Sequence, residues 1–302
     1  MKILITGATG SIGKTIVKVL LSKGYRINFL TTSRSKVNFF KGAKGFYWKP
    51  NRKEIDSSCF VGIDSIIHLA GYSVLNFWTK SVKKKIMESR LQSTSLLYNE
   101  IHKLGDKIQL KSFISASAIG IYESSFKKVH YEKDNLKRKN FLQNVVYEWE
   151  REVLKFSKLN FKVTILRIGL VMSKNARFLK AFRLTLNFGI GLVFGKGNQF
   201  QPWIHIEDLS SIFLFALNNQ LEGVYNAVSP NPVTQSNFIR ILSNSINQKC
   251  LILNIPSFII KIFLGEMSCL ILNSHNVSSS KIQSQGYKFH YPNLMSALKS
   301  FF

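Results

Sequence analysis

Acidic residues are scarce in this 302-residue chain, which carries 16 Asp and Glu against 42 Lys and Arg and a formal net charge of +26. The sequence shows no pair of catalytic carboxylates, no metal-ligand cluster and no nucleophile elbow. Lys, Asn, Ile and Phe are abundant together, which is typical of codon drift in an A/T-rich genome. The alternative is a functional basic face that attracts an anionic ligand. No specific nucleic-acid partner is expected, because the basic residues are spread along the chain.

Cysteine is rare as well, and long apolar runs are missing. Cys59, Cys250 and Cys269 form no CxxC pair, which indicates a reducing compartment without structural disulfides or a zinc site. No stretch approaches the roughly 20 apolar residues that a membrane span needs, so no membrane partner is expected. The start of the sequence does not resemble a signal peptide, because Met1 and Lys2 run directly into a short apolar strand. We therefore expect a cytoplasmic protein.

Strands and helices alternate over the first part of the chain. Hydrophobic spacing predicts strands at Lys2–Thr6, Arg26–Thr31, 46–48, 63–69, 110–115 and 162–167, and helices after the first strand, at 79–104 and at 141–156. Such alternation predicts an α/β fold, a Rossmann-type doubly wound parallel sheet. We expect a dinucleotide-binding Rossmann domain at 1–170. Residues 171–302 are less regular, and we expect them to complete the sheet and form a smaller C-terminal substrate cap.

A glycine-rich turn lies between the first strand and the first helix. Gly7, Gly10 and Gly13 form a GxxGxxG pattern, in which the three glycines allow a tight turn, close approach of a pyrophosphate and close packing of the helix on the strand. The amides that open the helix favour an anion. The position of the turn therefore predicts a nicotinamide dinucleotide site.

The end of the second strand indicates which dinucleotide binds. An Asp or Glu at this place would hold the two ribose hydroxyls of NAD(H), but the sequence has Ser33 and Arg34 here. A guanidinium matches a 2′-phosphate in charge and geometry, so NADP(H) is favoured over NAD(H). The alternative is that Arg34 is a solvated loop residue of a very basic protein.

Short motifs along nearly the whole chain carry a family resemblance. They include His68–Gly71, Trp78-Thr79, Ser89-Arg90 with Ser93-Thr94, Ser115–Gly120, Trp149-Glu150, Leu166–Gly169, Pro202–Leu209, Asn226-Ala227, Ser229–Thr234, Gly265–Met267 and Tyr291-Pro292. With these motifs the chain resembles an atypical extended short-chain dehydrogenase/reductase. Within that class it resembles the group labelled epimerase family protein, which is similar to NAD-dependent epimerases/dehydratases and is sometimes labelled cell-division inhibitor.

The resemblance implies where the cofactor lies. Together with the turn, it gives an expected cofactor-binding set of Gly7, Thr9, Gly10, Ser11, Ile12, Gly13, Ser33, Arg34, His68, Leu69, Ala70, Gly71, Arg90 and Ser115. It also implies that Ser117 lies near the nicotinamide. The chain departs from the family at Lys49, where an acidic residue is usual, and at Glu123, where a glycine is usual.

The usual catalytic pair of a short-chain dehydrogenase is missing. Such enzymes use a Tyr and, four residues later, a Lys beside a Ser. Ser117 supplies the Ser, but in the helix at 141–156 only Tyr147 and Arg151 have the i, i+4 spacing, and we interpret this spacing as coincidence. Tyr122 is a further catalytic candidate, with packing as the alternative.

Three residues are candidates for substrate contact. Arg167 could pair with an anionic substrate or with a carboxylate of the cap. His205 and Asp208 lie in a segment that lines the substrate cleft in extended relatives, and Asp208 could instead cap the following helix.

Two functions follow from the sequence. The first is an NADP(H)-dependent oxidoreductase or epimerase that acts on a small polar substrate. The second is a regulatory or redox-sensing protein that binds the dinucleotide without efficient catalysis, and the missing Tyr-x-x-x-Lys pair motivates it. Oligomeric state stays open, with a homodimer through the long helices as the arrangement that is common in the wider family.

Overall fold

The chain folds into two compact units, which the computed structural model describes over residues 1–302. Unit 1 comprises Met1–Ile121, Arg138–Arg167 and Ser210–Tyr225. Unit 2 comprises Tyr122–Lys137, Ile168–Leu209 and Asn226–Phe302. Each unit is therefore assembled from three separate stretches of sequence.

Sixteen strands and ten helices make up the two units. The strands are β1 (Lys2–Thr6), β2 (Arg26–Thr31), β3 (Ala43–Lys49), β4 (Glu54–Ile55), β5 (Ser65–His68), β6 (Ser112–Ala118), β7 (Val129–His130), β8 (Lys162–Ile168), β9 (Leu170–Met172), β10 (Ile190–Phe194), β11 (Phe200–Gln201), β12 (Trp203–His205), β13 (Gly223–Ala227), β14 (Val233–Thr234), β15 (Leu251–Ile255) and β16 (Asn276–Val277). The helices are α1 (Ser11–Ser22), α2 (Lys80–Leu104), α3 (Phe141–Leu154), α4 (Arg177–Asn187), α5 (Ile206–Asn218), α6 (Gln235–Ser245), α7 (Ser257–Leu264), α8 (Cys269–Leu272), α9 (Ser280–Ser284) and α10 (Leu294–Lys299). No helix combines the length and the apolar character that crossing a membrane would require.

The main sheet has eight strands in the order β13-β8-β6-β5-β1-β2-β3-β4. Strand β1 pairs in parallel with β2 on one side and with β5 on the other, and β4 is antiparallel to β3. The chain first builds the sheet outward from β1 through β2 and β3, then returns to the other side of β1 with β5. The strand order thus reverses between β1 and β5, and such a switch point opens a crevice at the carboxyl ends of the strands.

The central strands are buried on both faces, as a parallel sheet requires. Ile3, Leu4 and Ile5 of β1 are inaccessible to solvent, and on β6 the ring of Phe113 stacks on Phe156 with centroids 4.0 Å apart.

Unit 2 has its own apolar core. It is built from side chains of α4, α6, α10 and the short strands between them, namely Met172, Leu179, Leu186, Val193, Trp203, Phe238, Ile239, Leu242, Leu294, Ala297, Leu298 and Phe301. Four two-stranded sheets lie around it, β10-β15, β11-β14, β12-β9 and β16-β7.

The predicted Rossmann-type sheet is confirmed. Strands β1 and β2 have the predicted bounds, whereas β3 is longer than the predicted 46–48 because pairing with β2 extends it. After residue 169 the structure is more regular than expected. Short strands and the helices α4, α6 and α7 occur there, and a two-residue strand carries too little periodicity to be recognised from sequence.

Candidate functional site

The glycine turn brings three stretches of backbone unusually close together. Gly7 has a φ of +66°, and a Cβ added there would lie 2.8 Å from the carbonyl oxygen of Leu69. A Cβ at Gly13 would lie 2.3 Å from the carbonyl oxygen of Gly7. Only glycine fits either position, because real Cβ contacts are longer. The turn therefore exposes backbone rather than side chains at the switch point.

The first turn of α1 has no competing anion. Its N-cap is Gly10, no side chain makes a capping hydrogen bond, and the first turn contains no acidic residue. The first amides of a helix have no partner within the helix and carry a partial positive charge. These amides are thus available to a phosphate group.

Hydrogen bonds around buried His68 and Thr6 link the carboxyl ends of β5 and β1. The Thr6 hydroxyl oxygen accepts hydrogen bonds from the amides of Leu69, at 3.0 Å, and Ala70, at 3.1 Å. Its own hydrogen is then directed to Nδ1 of His68, 2.8 Å away. The ring hydrogen consequently lies on Nε2, which donates to Oγ1 of Thr94 at 3.1 Å. The predicted cofactor segment 69–71 is thereby fixed beside the glycine turn.

His68 is neutral at physiological pH. Burial, aided by the positive charge of Arg90, lowers its pKa from 6.5 to about 3. A neutral ring is required by the network itself, because Nδ1 must accept the Thr6 hydrogen. His68 therefore acts as a structural connector and is not placed to act as a base.

A cavity of about 540 Å³ opens at the switch point, within unit 1. Residues from the glycine turn, the end of β2, the end of β3, the segment after β5 and α2 line it, namely Gly7, Thr9, Gly10, Leu30, Thr31, Thr32, Trp48, Pro50, Asn51, Leu69, Ala70, Gly71, Tyr72, Lys85, Glu88, Ser89, Gln92 and Ser93. Six of the predicted cofactor residues, Gly7, Thr9, Gly10, Leu69, Ala70 and Gly71, are among them.

Arg34 follows β2, and its guanidinium lies over an aromatic ring. Its guanidinium carbon is 4.4 Å from the ring centroid of Tyr47, which is brought there because Tyr47 on β3 pairs with Thr31 at the end of β2. Arg34 is solvent-exposed and forms no ion pair with a carboxylate. Ser33 stands beside it, and its amide donates to Oγ1 of Thr31 at 3.2 Å. The sequence analysis missed Tyr47, which becomes recognisable only once the strand register is known.

Arg90 presents a second guanidinium without a carboxylate partner. Its Nη1 donates to the carbonyl oxygens of Tyr72, at 3.1 Å, and Ile86, at 2.9 Å. Its charge lies 5.1 Å from the ring of Trp149, and burial lowers its pKa from 12.5 to about 10. The guanidinium is so close to Gly71 that a Cβ there would lie 3.2 Å from it.

Ser117 is part of a buried network with Glu150 and Arg167. The Ser117 hydroxyl donates to Oε1 of Glu150 at 2.6 Å. Arg167 forms a bidentate pair with the same carboxylate. Its Nε donates to Oε1 at 2.9 Å, and its Nη2 donates to Oε2 at 2.8 Å. The predicted partner of Arg167 was a substrate or a carboxylate of the cap, and the carboxylate observed is on α3, in unit 1. Sequence analysis noted Glu150 as a motif residue but gave it no role.

The i, i+4 pair on α3 does not form. Arg151 pairs with Glu148 at 2.7 Å, and the ring of Tyr147 is covered by Arg138, whose guanidinium carbon is 4.4 Å from the ring centroid. The spacing of Tyr147 and Arg151 thus does not correspond to a contact between their side chains.

Ser115, a predicted cofactor residue, is buried, and its hydroxyl donates to the Ala116 carbonyl at 2.9 Å.

In unit 2, the catalytic candidate Tyr122 is buried among unit 2 residues. Its hydroxyl donates to Oδ1 of Asn226 at 2.7 Å, and its ring stacks on His130 with centroids 5.0 Å apart.

The two substrate candidates in unit 2 hold its C-terminal segment. Asp208 accepts hydrogen bonds from the Tyr287 hydroxyl, the His290 amide and the Tyr291 amide at 2.8–3.0 Å. His205 lies between the rings of Tyr291 and Phe301, and its Nε2 lies 3.0 Å from Oγ of Ser300. Both side chains thus anchor residues 287–301.

Comparison with known proteins places the chain among epimerase family proteins. A family model described as NAD dependent epimerase/dehydratase family matches residues 3–227, and one described as a domain of unknown function, DUF1731, matches residues 255–301. An epimerase family protein of Staphylococcus saprophyticus is 33% identical over 303 residues, covering 98% of this chain and 97% of that protein. One from Staphylococcus aureus is 32% identical over 302 residues, covering 98% of this chain and 97% of that protein.

Solved structures of similar fold support the same family assignment. The crystal structure of the human epimerase family protein SDR39U1 (isoform 2), obtained with NADPH, superimposes with a TM-score of 0.86 at 25% identity, covering 100% of this chain and 99% of that one. MoeE5 in complex with UDP-glucose and NAD has a TM-score of 0.76 at 17% identity over 99% and 96% of the two chains, which indicates a shared fold alone. The resemblance inferred from short motifs is thereby confirmed.

We predict that breaking the buried pair of Glu150 and Arg167 destabilises unit 1. Glu150→Ala leaves the Arg167 guanidinium buried without its carboxylate, which should lower the free energy of unfolding by about 3–5 kcal/mol. Replacing both residues, with Glu150→Leu and Arg167→Met, should recover most of that loss. Urea unfolding followed by circular dichroism measures both effects.

The control is Glu152→Ala on the same helix. Glu152 pairs with Lys155 at 2.6 Å, but the lysine is 46% exposed, so the loss should stay within about 1 kcal/mol. Equal losses for Glu150→Ala and Glu152→Ala would contradict the anchoring role.

A second prediction concerns acid stability. The pKa of His68 is 6.5 when free and about 3 in the folded chain, so below pH 6.5 only the unfolded state takes up this proton. Its contribution to stability is complete above pH 6.5 and is lost as the pH falls toward 3. Between pH 5.5 and 4, the wild type should lose about 1.4 kcal/mol per pH unit more than His68→Gln.

Urea titrations at a series of pH values measure this difference. His102→Gln, at an exposed position on α2, the helix that carries the His68 partner Thr94, is the matched control and should keep the slope of the wild type. Part of the slope remains in His68→Gln, because burial also lowers the pKa of His275 to about 4. Parallel curves for the wild type and His68→Gln would refute the buried, neutral state.

Proposed function

Because the chain belongs to the NAD dependent epimerase/dehydratase family, we propose that it binds NADP(H) in the cavity of unit 1 and acts as an NADP(H)-dependent oxidoreductase or epimerase on a small polar substrate. The observation that carries the cofactor choice is the Arg34 guanidinium stacked on Tyr47 at the carboxyl end of β2.

The glycine turn would hold the pyrophosphate. Gly7, Gly10 and Gly13 leave backbone where a Cβ would collide, and the amides that open α1 face no side-chain cap. This is the environment that a doubly charged linker of two phosphates needs. Trp48, Pro50 and Asn51 line the cavity beyond the end of β3, where an adenine ring would find an apolar surface.

The 2′-phosphate would lie against Arg34. No acidic residue occurs in residues 1–53, so the segment that follows β2 has no carboxylate of its own to bind the ribose hydroxyls of NAD(H) or to repel a phosphate. The carboxylate that lines the cavity, Glu88, lies on α2. Stacking on Tyr47 restricts the guanidinium, which lowers the entropy lost when it binds a phosphate. The human relative SDR39U1 was crystallised with NADPH, which supports the same choice for this chain.

The catalytic part of the proposal rests on Ser117. A bound nicotinamide supplies or accepts a hydride at a substrate carbon. A proton must then be added to or removed from the substrate oxygen, and Ser117 is the hydroxyl that the resemblance places there. Glu150, which accepts the Ser117 hydrogen at 2.6 Å, would receive or return that proton, and Arg167 would balance its charge.

A specific observation favours a second candidate function, dinucleotide binding without efficient turnover. The single hydrogen of the Ser117 hydroxyl is directed at Glu150, so it is not available to a substrate oxygen in this arrangement. No Tyr-x-x-x-Lys pair replaces it on α3. A regulatory or redox-sensing protein needs only the cofactor site.

We predict that Arg34→Ala weakens NADPH binding by about tenfold to a hundredfold, because charge-assisted hydrogen bonds to the 2′-phosphate are lost. Affinity for NADH should stay within about twofold. Titration calorimetry with both dinucleotides measures the difference. Arg26→Ala is the matched control, since Arg26 is an exposed arginine at the opposite end of the same strand. Equal losses for NADPH and NADH in Arg34→Ala would refute the 2′-phosphate role.

Turnover separates the two functions. NADPH oxidation should be screened against panels of carbonyl compounds and sugar nucleotides. If the chain is an enzyme, Ser117→Ala should lower kcat by about a hundredfold or more while NADPH affinity is kept. Ser112→Ala, a buried serine at the other end of the same strand whose hydroxyl donates to Ser65, is the control. Tight NADPH binding without turnover on any panel would favour the regulatory function.

A further inference from the structure

Carboxylates are especially scarce in the last part of the chain. Residues 168–302 contain eleven lysines and arginines but four acidic residues, Glu207, Asp208, Glu222 and Glu266. Neither 168–206 nor 223–265 contains a single Asp or Glu. Two of the four carboxylates are also engaged, since Asp208 binds the segment 287–291 and Glu222 pairs with Lys162. This region presents a cationic surface that its own carboxylates do not neutralise.

The same region exposes large apolar side chains. Seven of them, with 42–76% of their surface accessible, form what we call the apolar ridge: Leu184, Phe188, Leu251, Leu253, Phe258, Ile262 and Phe263. They are neighbours along the backbone, because the Leu251 amide donates to the Gly189 carbonyl at 2.8 Å and β15 leads directly into α7. Single exposed apolar residues are ordinary, but a cluster of this size indicates an interaction surface.

The sheet β10-β15 contributes Leu251 and Leu253 to the ridge. Its inner face packs on the core of unit 2, where a Cβ at Gly191 would touch Ile252 and Ile239. Parallel pairing in register places every second residue on the other face. Those residues are all apolar, and they are Ile190, Leu192, Phe194, Leu251, Leu253 and Ile255. Leu251 and Leu253 are exposed, and the other four are half-buried. A sheet face that meets solvent normally carries polar residues, so the exposed part of this face is suited to being covered.

Lysines flank the ridge. Lys180 lies one helical turn before Leu184 on α4, Lys249 precedes β15, and Lys261 lies between Phe258 and Ile262 on α7. All three are exposed, and none pairs with a carboxylate. Apolar side chains and cations therefore occur together on short surface elements.

We propose that the apolar ridge docks on the surface of an anionic phospholipid bilayer. A second copy of the chain would bring the same cations against themselves, which opposes association. A nucleic acid would use the lysines but not seven exposed apolar side chains. An anionic bilayer uses both, because its headgroups attract the lysines while the apolar side chains enter the boundary with the acyl chains. The binding is interfacial, since α7 has eight residues and is too short to cross a membrane. The proposal therefore departs from the expectation of no membrane partner, which rested only on the missing membrane span.

Vesicle sedimentation with the full chain tests this inference. The probes are vesicles of phosphatidylcholine alone and vesicles that also contain phosphatidylglycerol. We expect binding to the anionic vesicles that weakens with added salt and is much weaker on the neutral ones. Combining Phe258→Ser, Ile262→Ser and Phe263→Ser should weaken binding to anionic vesicles by about tenfold or more, and Lys261→Ala alone by about fivefold.

Matched variants on unit 1 control for non-specific adsorption of exposed apolar side chains to the vesicles. Combining Val61→Ser and Leu154→Ser removes two apolar side chains of comparable exposure, 67% and 52%, and should leave vesicle binding unchanged. NADPH affinity should be unchanged in the ridge variants, so failure of this proposal is distinguishable from failure of the cofactor proposal.

A tryptophan introduced on the ridge reports contact with the acyl chains directly through its fluorescence, without removing an interaction. Phe263→Trp should be quenched by vesicles whose lipids are brominated in the acyl chain, whereas Leu154→Trp should not. The proposal is overturned if anionic vesicles do not bind the chain, if the ridge variants bind as the wild type does, or if both tryptophans respond alike. It is also overturned if light scattering shows a dimer that the ridge variants abolish while vesicle binding is absent.

Discussion

The hydroxyl oxygen of Thr6 joins the two strand ends on which the candidate cofactor site depends. It accepts from the amides of Leu69 and Ala70, and its one hydrogen is directed to His68. Because a hydroxyl has one hydrogen and two lone pairs, every orientation in the network follows from this atom. The short distance between the two strand ends also explains why Gly7 must be glycine, since a Cβ would collide with Leu69. The Thr6 hydroxyl thus determines both the position of residues 69 and 70 beside the glycine turn and the tautomer of His68.

Because carboxylates are scarce, the arginines of the candidate cofactor site contact aromatic rings and backbone carbonyls instead of acidic side chains. The first acidic residue of the chain is Glu54, so the segment around Arg34 has no carboxylate of its own. Arg34 consequently rests on Tyr47, and Arg90 donates to backbone carbonyls beside Gly71. A cation without a carboxylate retains more of its attraction for a phosphate, because no internal ion pair has to be broken. Drift in composition and a functional basic site are therefore compatible explanations of the same +26 charge.

The sequence predicts the parts of the fold that depend on neighbouring residues. Strands β1 and β2, the glycine turn and helix α2 are local patterns, and they were placed nearly to the residue. Contacts between distant residues escape such patterns. Glu150 lies 33 residues after Ser117, and Asp208 meets partners more than 79 residues away, at 290 and 291. Periodicity assigns Glu150 to a helix face, but only the packing of α3 on the sheet selects which serine and which arginine it meets.

The network of Ser117, Glu150 and Arg167 also separates the two proposed functions on physical grounds. An acid–base role requires that the Ser117 hydrogen leave Glu150 when a substrate oxygen arrives. All three residues are buried, and Arg167 fixes the carboxylate with two hydrogen bonds. A protein that only binds a dinucleotide can keep the Ser117–Glu150 hydrogen bond, whereas an enzyme must exchange it for one to the substrate. The proposed catalytic cycle through Ser117 therefore requires a proton route through Glu150. The carboxylate that sequence reasoning left without a role is thus the residue on which the proposed enzymatic function would depend.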